Sequence, residues 1–278
     1  MAQKFGIELE GYGLRPSEIV ELLAYELKGI GLVAVRSQRA LDVAEGLNDT
    51  KIVIVDNSHT HNGPTFTNGY TWQVMRDGSI NGEYGFEVVS PILNGSDGKA
   101  QVKKVICALK NAGGQVNASC GMHITLATNN SRWKKMGPKK TNKVLGSISD
   151  SYAYFRQGIN SILAPSRRSN YYCLPIDHEE FCIYSSYHTK FEAINFTKYI
   201  TSGCIEYRQH QGTLNYVKAL NWITLLHKLQ TTALNEENSG RTYTDYPPTL
   251  EGLIAYLNLP TKVGNYFEAR SLTLRGEC

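Results

Sequence analysis

Glu8 and Glu10 stand two residues apart in the run Phe5-Gly6-Ile7-Glu8-Leu9-Glu10. On a strand, both carboxylates leave from one face, roughly 7 Å apart at the usual rise per residue. Two such charges repel. A divalent cation beside them turns that repulsion into binding, because Mg2+ and Mn2+ favour carboxylate oxygen, although Glu-x-Glu is also the pattern of an ordinary solvated strand face. Glu206 and Arg208 repeat the spacing with opposite charges. A carboxylate can hold a metal while the guanidinium fork grips a phosphoryl group in transit; a surface ion pair is the plain alternative. His123, in Gly121-Met122-His123, and Glu87, in Gly85-Phe86-Glu87-Val88-Val89, are the other strand-borne candidates. Either one alone also fits a hydrogen-bonded core residue or a solvent-facing one. Arg167 and Arg168, in Ser166-Arg-Arg-Ser-Asn170, are candidates for holding an acidic substrate, and a solvated basic loop is the competing reading.

The elements that must position these residues follow from periodicity. Phe5, Ile7 and Leu9 alternate with Gly6, Glu8 and Glu10, which predicts a strand with one buried face. Pro16 opens a helix carrying Ile19, Leu22, Leu23, Leu27 and Ile30. Residues 51–56 read as a short β-branched strand, and 57–69 as a polar loop. Residues 70–76 and 84–90 form a hairpin-like pair around Asp77-Gly78-Ser79. A helix with Val102, Val105, Ile106 and Leu109 ends at Gly113-Gly114, and 119–126 is again a strand. A long helix is expected over 141–163, strands near 180–185 and over 203–210, a helix from Gly212-Thr213 onward, and a short helix over 249–258. Hairpins with crossover helices predict an α+β fold and a largely antiparallel sheet.

Composition narrows the classes. The 278 residues are 41% hydrophobic and 19% charged, an ordinary globular balance with no repeat or low-complexity tract. A net charge of +4 is too small to demand a polyanionic partner. The basic run Arg132–Lys140 is the clearest nucleic-acid candidate, set against a solvated loop. The sequence contains no signal-like run and no stretch of eighteen apolar residues, and its six cysteines lack CxxC spacing. A cytoplasmic protein with free thiols is expected.

Taken in order, the pieces are Phe5-Gly-Ile-Glu8-Leu-Glu10, Trp72 with Asp77-Gly-Ser79, Glu87 with Ser90-Pro91, Cys120-Gly-Met-His123, and Ile205-Glu206-Tyr-Arg208-Gln-His210-x-Gly212-Thr213-Leu214. This succession resembles the amidoligase family of the carboxylate–amine ligase superfamily, to which glutamine synthetase and glutamate–cysteine ligase belong. The resemblance spans about residues 4–230, and the last motif is its most specific part. It implies one catalytic domain over 1–278, with 231–278 as a C-terminal extension. The sheet would be curved, of the glutamine synthetase catalytic-domain type, with helices on its convex side and ATP with Mg2+ (or Mn2+) on its concave side. By similarity, Glu8 and Glu10 bind different metal ions, Glu87 joins the ion of Glu10, and His123 and Glu206 complete the ion nearer the phosphates. Arg208 holds the γ-phosphoryl, Trp72 and His123 lie at the nucleotide, and Glu87 and His210 join Arg167 and Arg168 at the substrate. Where glutamine synthetase offers two separated carboxylates, this chain offers Glu87, with Glu83 in the adjoining turn. The implied reaction joins a carboxylate to an amine through an acyl phosphate, releasing ADP and phosphate, on small or macromolecule-borne substrates.

Three rivals draw on other residues. A cysteine hydrolase or transferase would use Cys120, but an odd separation on a strand points Cys120 and His123 to opposite faces. A zinc protein would draw on His59, His61, Cys120, His123, His178 or Cys182, whose spacing matches no standard zinc pattern. A metal-containing nucleic-acid binder would rest on Arg132–Lys140 and leave the acidic pairs without a use.

Overall fold

The computed structural model describes residues 4–28, 32–36, 52–55, 71–128, 131–176, 181–185 and 188–276. His59, His61, His178 and the polar loop over 57–69 lie outside them. The chain clusters into two compact units: Ala2–His123 with Gly212–Val217, and Ile124–Gln211 with Lys218–Cys278.

The first unit is built on β1 (Lys4–Gly11), α1 (Pro16–Glu26), β2 (Leu32–Arg36), β3 (Ile52–Val55), β4 (Thr71–Arg76), β5 (Phe86–Val89), β6 (Leu93–Asn94) and α2 (Gly95–Asn111). Its strands run in the order β3-β2-β4-β5-β1, followed by β7 (Gly121–Ala127), with β6 also on β1. The expected hairpin is present: β4 pairs antiparallel with β5, Met75 opposite Glu87. β5 in turn pairs antiparallel with β1, Glu10 opposite Glu87 and Glu8 opposite Val89. β2 is parallel to both β3 and β4, so the sheet is mostly rather than wholly antiparallel. The alternation in β1 does what its sequence requires. Phe5, Ile7 and Leu9 are buried, each worth about 1.5–3 kcal/mol of transfer free energy, while Glu8 and Glu10 keep partial access. α1 and α2 pack together, and α2 covers the apolar face, where Gln101 Oε1 accepts from Trp72 Nε1 at 3.1 Å.

The second unit takes strand order β7-β9-β8, with β8 (Ile194–Asn195) and β9 (Cys204–Gln211) antiparallel. Its helices are α3 (Ser131–Lys134), α4 (Pro138–Tyr154), α5 (Arg156–Ser161), α6 (Thr197–Ser202), α7 (Tyr216–Ser239, starting in the first unit), α8 (Leu250–Tyr256) and α9 (Thr261–Arg275). The long helix expected over 141–163 is two helices. Phe155 ends α4 and its ring stacks on Tyr256 of α8 at 5.4 Å, while α5 packs on α8. The strand expected near 180–185 is a turn over 181–185, closed by Ser185 N on Cys182 O at 2.9 Å. Its apolar residues serve packing instead, with Phe181 edge-on to Phe196 at 4.9 Å. α9 had no counterpart in the sequence reading. Among the described residues no helix is long and apolar enough to cross a membrane.

Candidate functional site

One face of the first unit collects the acidic candidates. β1 and β5 pair so that Glu8, Glu10 and Glu87 share a face, opposite the one that buries Leu9, Val88 and Trp72. His123, on β7, stands between the two glutamates of β1. Its Nδ1 lies 3.0 Å from Glu8 Oε2, and its Nε2 lies 3.6 Å from Glu10 Oε1. Glu10 is further fixed by its Oε2, which accepts from Gly121 N at 2.5 Å. Burial and the neighbouring carboxylates of Glu8 and Glu10 push the Glu87 carboxyl up to about 8, so at neutral pH it keeps its proton and donates to Glu8. A carboxyl kept neutral by burial and by neighbouring carboxylates marks a candidate functional site. Oxygen-rich donors with one imidazole are a set that suits Mg2+ or Mn2+.

The second unit positions Glu206 and Arg208. They share a face of β9, as their spacing predicts, and Arg208 Nη1 lies 3.3 Å from Glu206 Oε2. Glu206 is 2% exposed and accepts from two further donors, Asn195 Nδ2 at 2.6 Å and Lys198 Nζ at 2.7 Å. Asn195 and Lys198 escaped the sequence reading. Nothing in the local pattern around them announces that β8 returns beside β9. Gly203, in the left-handed region at φ 64°, ends α6 and turns the chain directly into β9.

The remaining candidates are placed as follows. Trp72 lies in the core of the first unit, fully buried on the face away from the carboxylates. Arg167 is 2% exposed, and its Nη2 donates to Arg208 O at 2.7 Å. Arg168 is half-buried, with Nε on Leu163 O at 3.1 Å. His210 is buried against Trp222, its Nδ1 2.7 Å from Gln211 O, and burial drives its pKa down to about 3. Glu83 is exposed in the turn after β4, where its backbone oxygen takes Gly13 N at 2.8 Å. Cys120 is buried, and burial raises its thiol pKa, opposite to the activation that a nucleophilic cysteine requires. Gly212, in the most specific motif, has a steric reason: a Cβ there would sit 2.4 Å from Cys120 Cβ, where Gly212 N donates to Cys120 O at 2.7 Å.

A family model described as "Putative amidoligase enzyme" matches residues 1–188. No curated protein matches the chain.

Proposed function

The chain belongs to the amidoligase family, and from that premise we propose that it is an ATP-dependent carboxylate–amine ligase. The observation that carries this reading is the set of Glu8, Glu10 and Glu87 on one sheet face with His123 against the first two. Glu8, Glu10, Glu87 and His123 would hold a divalent cation. Mg2+ bound there would neutralise phosphate charge as it builds up in the transition state.

The chain's own groups supply the rest. Arg208, braced against Glu206, presents its remaining N–H donors to the γ-phosphoryl group. A substrate carboxylate oxygen attacks that phosphorus, the bond to ADP breaks, and an acyl phosphate results. The amine then attacks the acyl carbon, loses a proton, and phosphate leaves with the electron pair of its C–O bond. Activation is needed because an electron-rich carboxylate resists amines and oxide is a poor leaving group. Arg168 is the cation assigned to the acidic substrate. The sheet is read as the curved sheet of the glutamine synthetase catalytic domain, and a cytoplasmic setting goes with the use of ATP.

The test is ADP release with Mg2+ against pools of carboxylates and amines, followed by mass analysis. The expected product is lighter than its two components by one water. ADP release that no carboxylate and amine pair stimulates removes the ligase assignment.

A further inference from the structure

We infer that Arg167 is a positioning residue for Arg208, clamping the backbone from which Arg208 reaches the phosphoryl group. This rests on the nucleotide reading of Arg208 proposed above. Arg167 sits in the 3-10 turn Pro165–Arg167 and is 2% exposed, so it cannot meet a substrate arriving from solution. Its Nη2 donates to Arg208 O at 2.7 Å, while Arg208 N donates to Ala193 O at 2.9 Å, so the peptide groups on both sides of the Arg208 Cα are tied.

The clamp is itself held. Arg167 O accepts from Gln209 Nε2 at 3.3 Å and from the Cys173 thiol at 3.7 Å. Gln209 is fixed in turn by Tyr152 Oη, donating to its Oε1 at 2.8 Å, and by Asn160 Oδ1 at 3.1 Å from its Nε2. The turn Tyr171–Cys173 closes the ring, because Tyr172 O takes Arg208 Nε at 3.4 Å.

A neutral donor would satisfy one carbonyl at lower cost, since a buried guanidinium gives up hydration. Arg167 Nε has no hydrogen-bond partner among the described residues, so hydrogen bonding alone does not account for an arginine here. What a guanidinium adds is positive potential alongside Arg208. Burial pushes the Cys173 thiol up, and both guanidinium groups pull it back, which places both charges within electrostatic reach of one atom. An incoming phosphoryl anion therefore meets Arg208 in a fixed position and reinforced by a second charge.

The probes are ATP and ADP, each with Mg2+, titrated into the full-length protein by calorimetry beside its thermal transition. Arg208 reads the phosphoryl group that only ATP carries, so Arg208→Ala is expected to lower ATP affinity about tenfold or more relative to ADP. Arg167→Met is expected to shrink the same ATP-to-ADP ratio about tenfold with ADP affinity nearly unchanged, and Arg167→Lys to recover most of it. Should Arg167→Met fail to fold, Arg167→Gln carries the same expectation. A ratio unaffected by Arg208→Ala removes the nucleotide reading, and this inference with it. A ratio lowered by Arg208→Ala and untouched at Arg167, or one in which ATP and ADP weaken together, overturns the inference alone.

Discussion

Glu87 holds its proton to about pH 8 because it is buried beside two other carboxylates. An unfolded glutamate ionises near 4.5, so between those values the folded protein binds a proton that the unfolded chain has released. Stability must therefore fall as pH rises from about 5 to 8. Metal-free protein is expected to lose thermal stability across this range, with the slope flattened by Mg2+ and by Glu87→Gln; circular dichroism melts at several pH values check both. Equal slopes in wild type and Glu87→Gln remove this assignment. Activity tests the neighbours. Glu8→Gln, Glu206→Gln and Arg208→Ala are each expected to abolish ADP release while leaving a folded protein, and normal turnover in one of them removes its assigned role. Glu206 is the most demanding of the three, because its loss strands Lys198 and Arg208 beside a neutral amide.

At the scale of elements, the close approach of Gly212 to Cys120 makes a sharp steric prediction. Gly212→Ala puts a methyl 2.4 Å from Cys120 Cβ, and is expected to cost about 1–3 kcal/mol, read as a lower midpoint in urea. The double variant with Cys120→Gly should recover part of that loss. Much of this level was legible in the sequence, because β1 and β5 alternate cleanly, apolar residues alternate through Met122, Ile124 and Leu126 of β7, and Glu8 and Glu10 do share a face. Glu8, Glu10, Glu87 and His123 could thus be named before any contact was known. What stayed hidden was tertiary. Phe181, Cys182 and Ile183 look like strand residues but are held in a turn, with Ile183 N on Asn142 Oδ1 at 2.9 Å. The Lys198 and Asn195 contacts depend on a two-residue strand returning beside β9, a length too short to leave a period. Trp72, which the resemblance puts at the nucleotide, is sent by its parity on β4 to the face opposite the carboxylates.

At the scale of the molecule, the family match ends at residue 188, while both units draw on chain beyond it. β9 and α7 follow that point, and α9 is anchored in the second unit by Phe267, 2% exposed, and by Arg270 Nε on Ile162 O at 2.6 Å. A fragment of residues 1–188 is therefore expected to lack a cooperative thermal transition and to expose apolar surface to a hydrophobic dye. A sharp transition in that fragment would show that the later elements are dispensable for folding. The return of Gly212–Val217 to the unit formed by Ala2–His123 also bears on synthesis. A nascent chain leaving the ribosome cannot complete its N-terminal lobe when that lobe's own strands have emerged. It must wait for a segment made much later, so the earliest-made carboxylates are among the last to gain their finished surroundings.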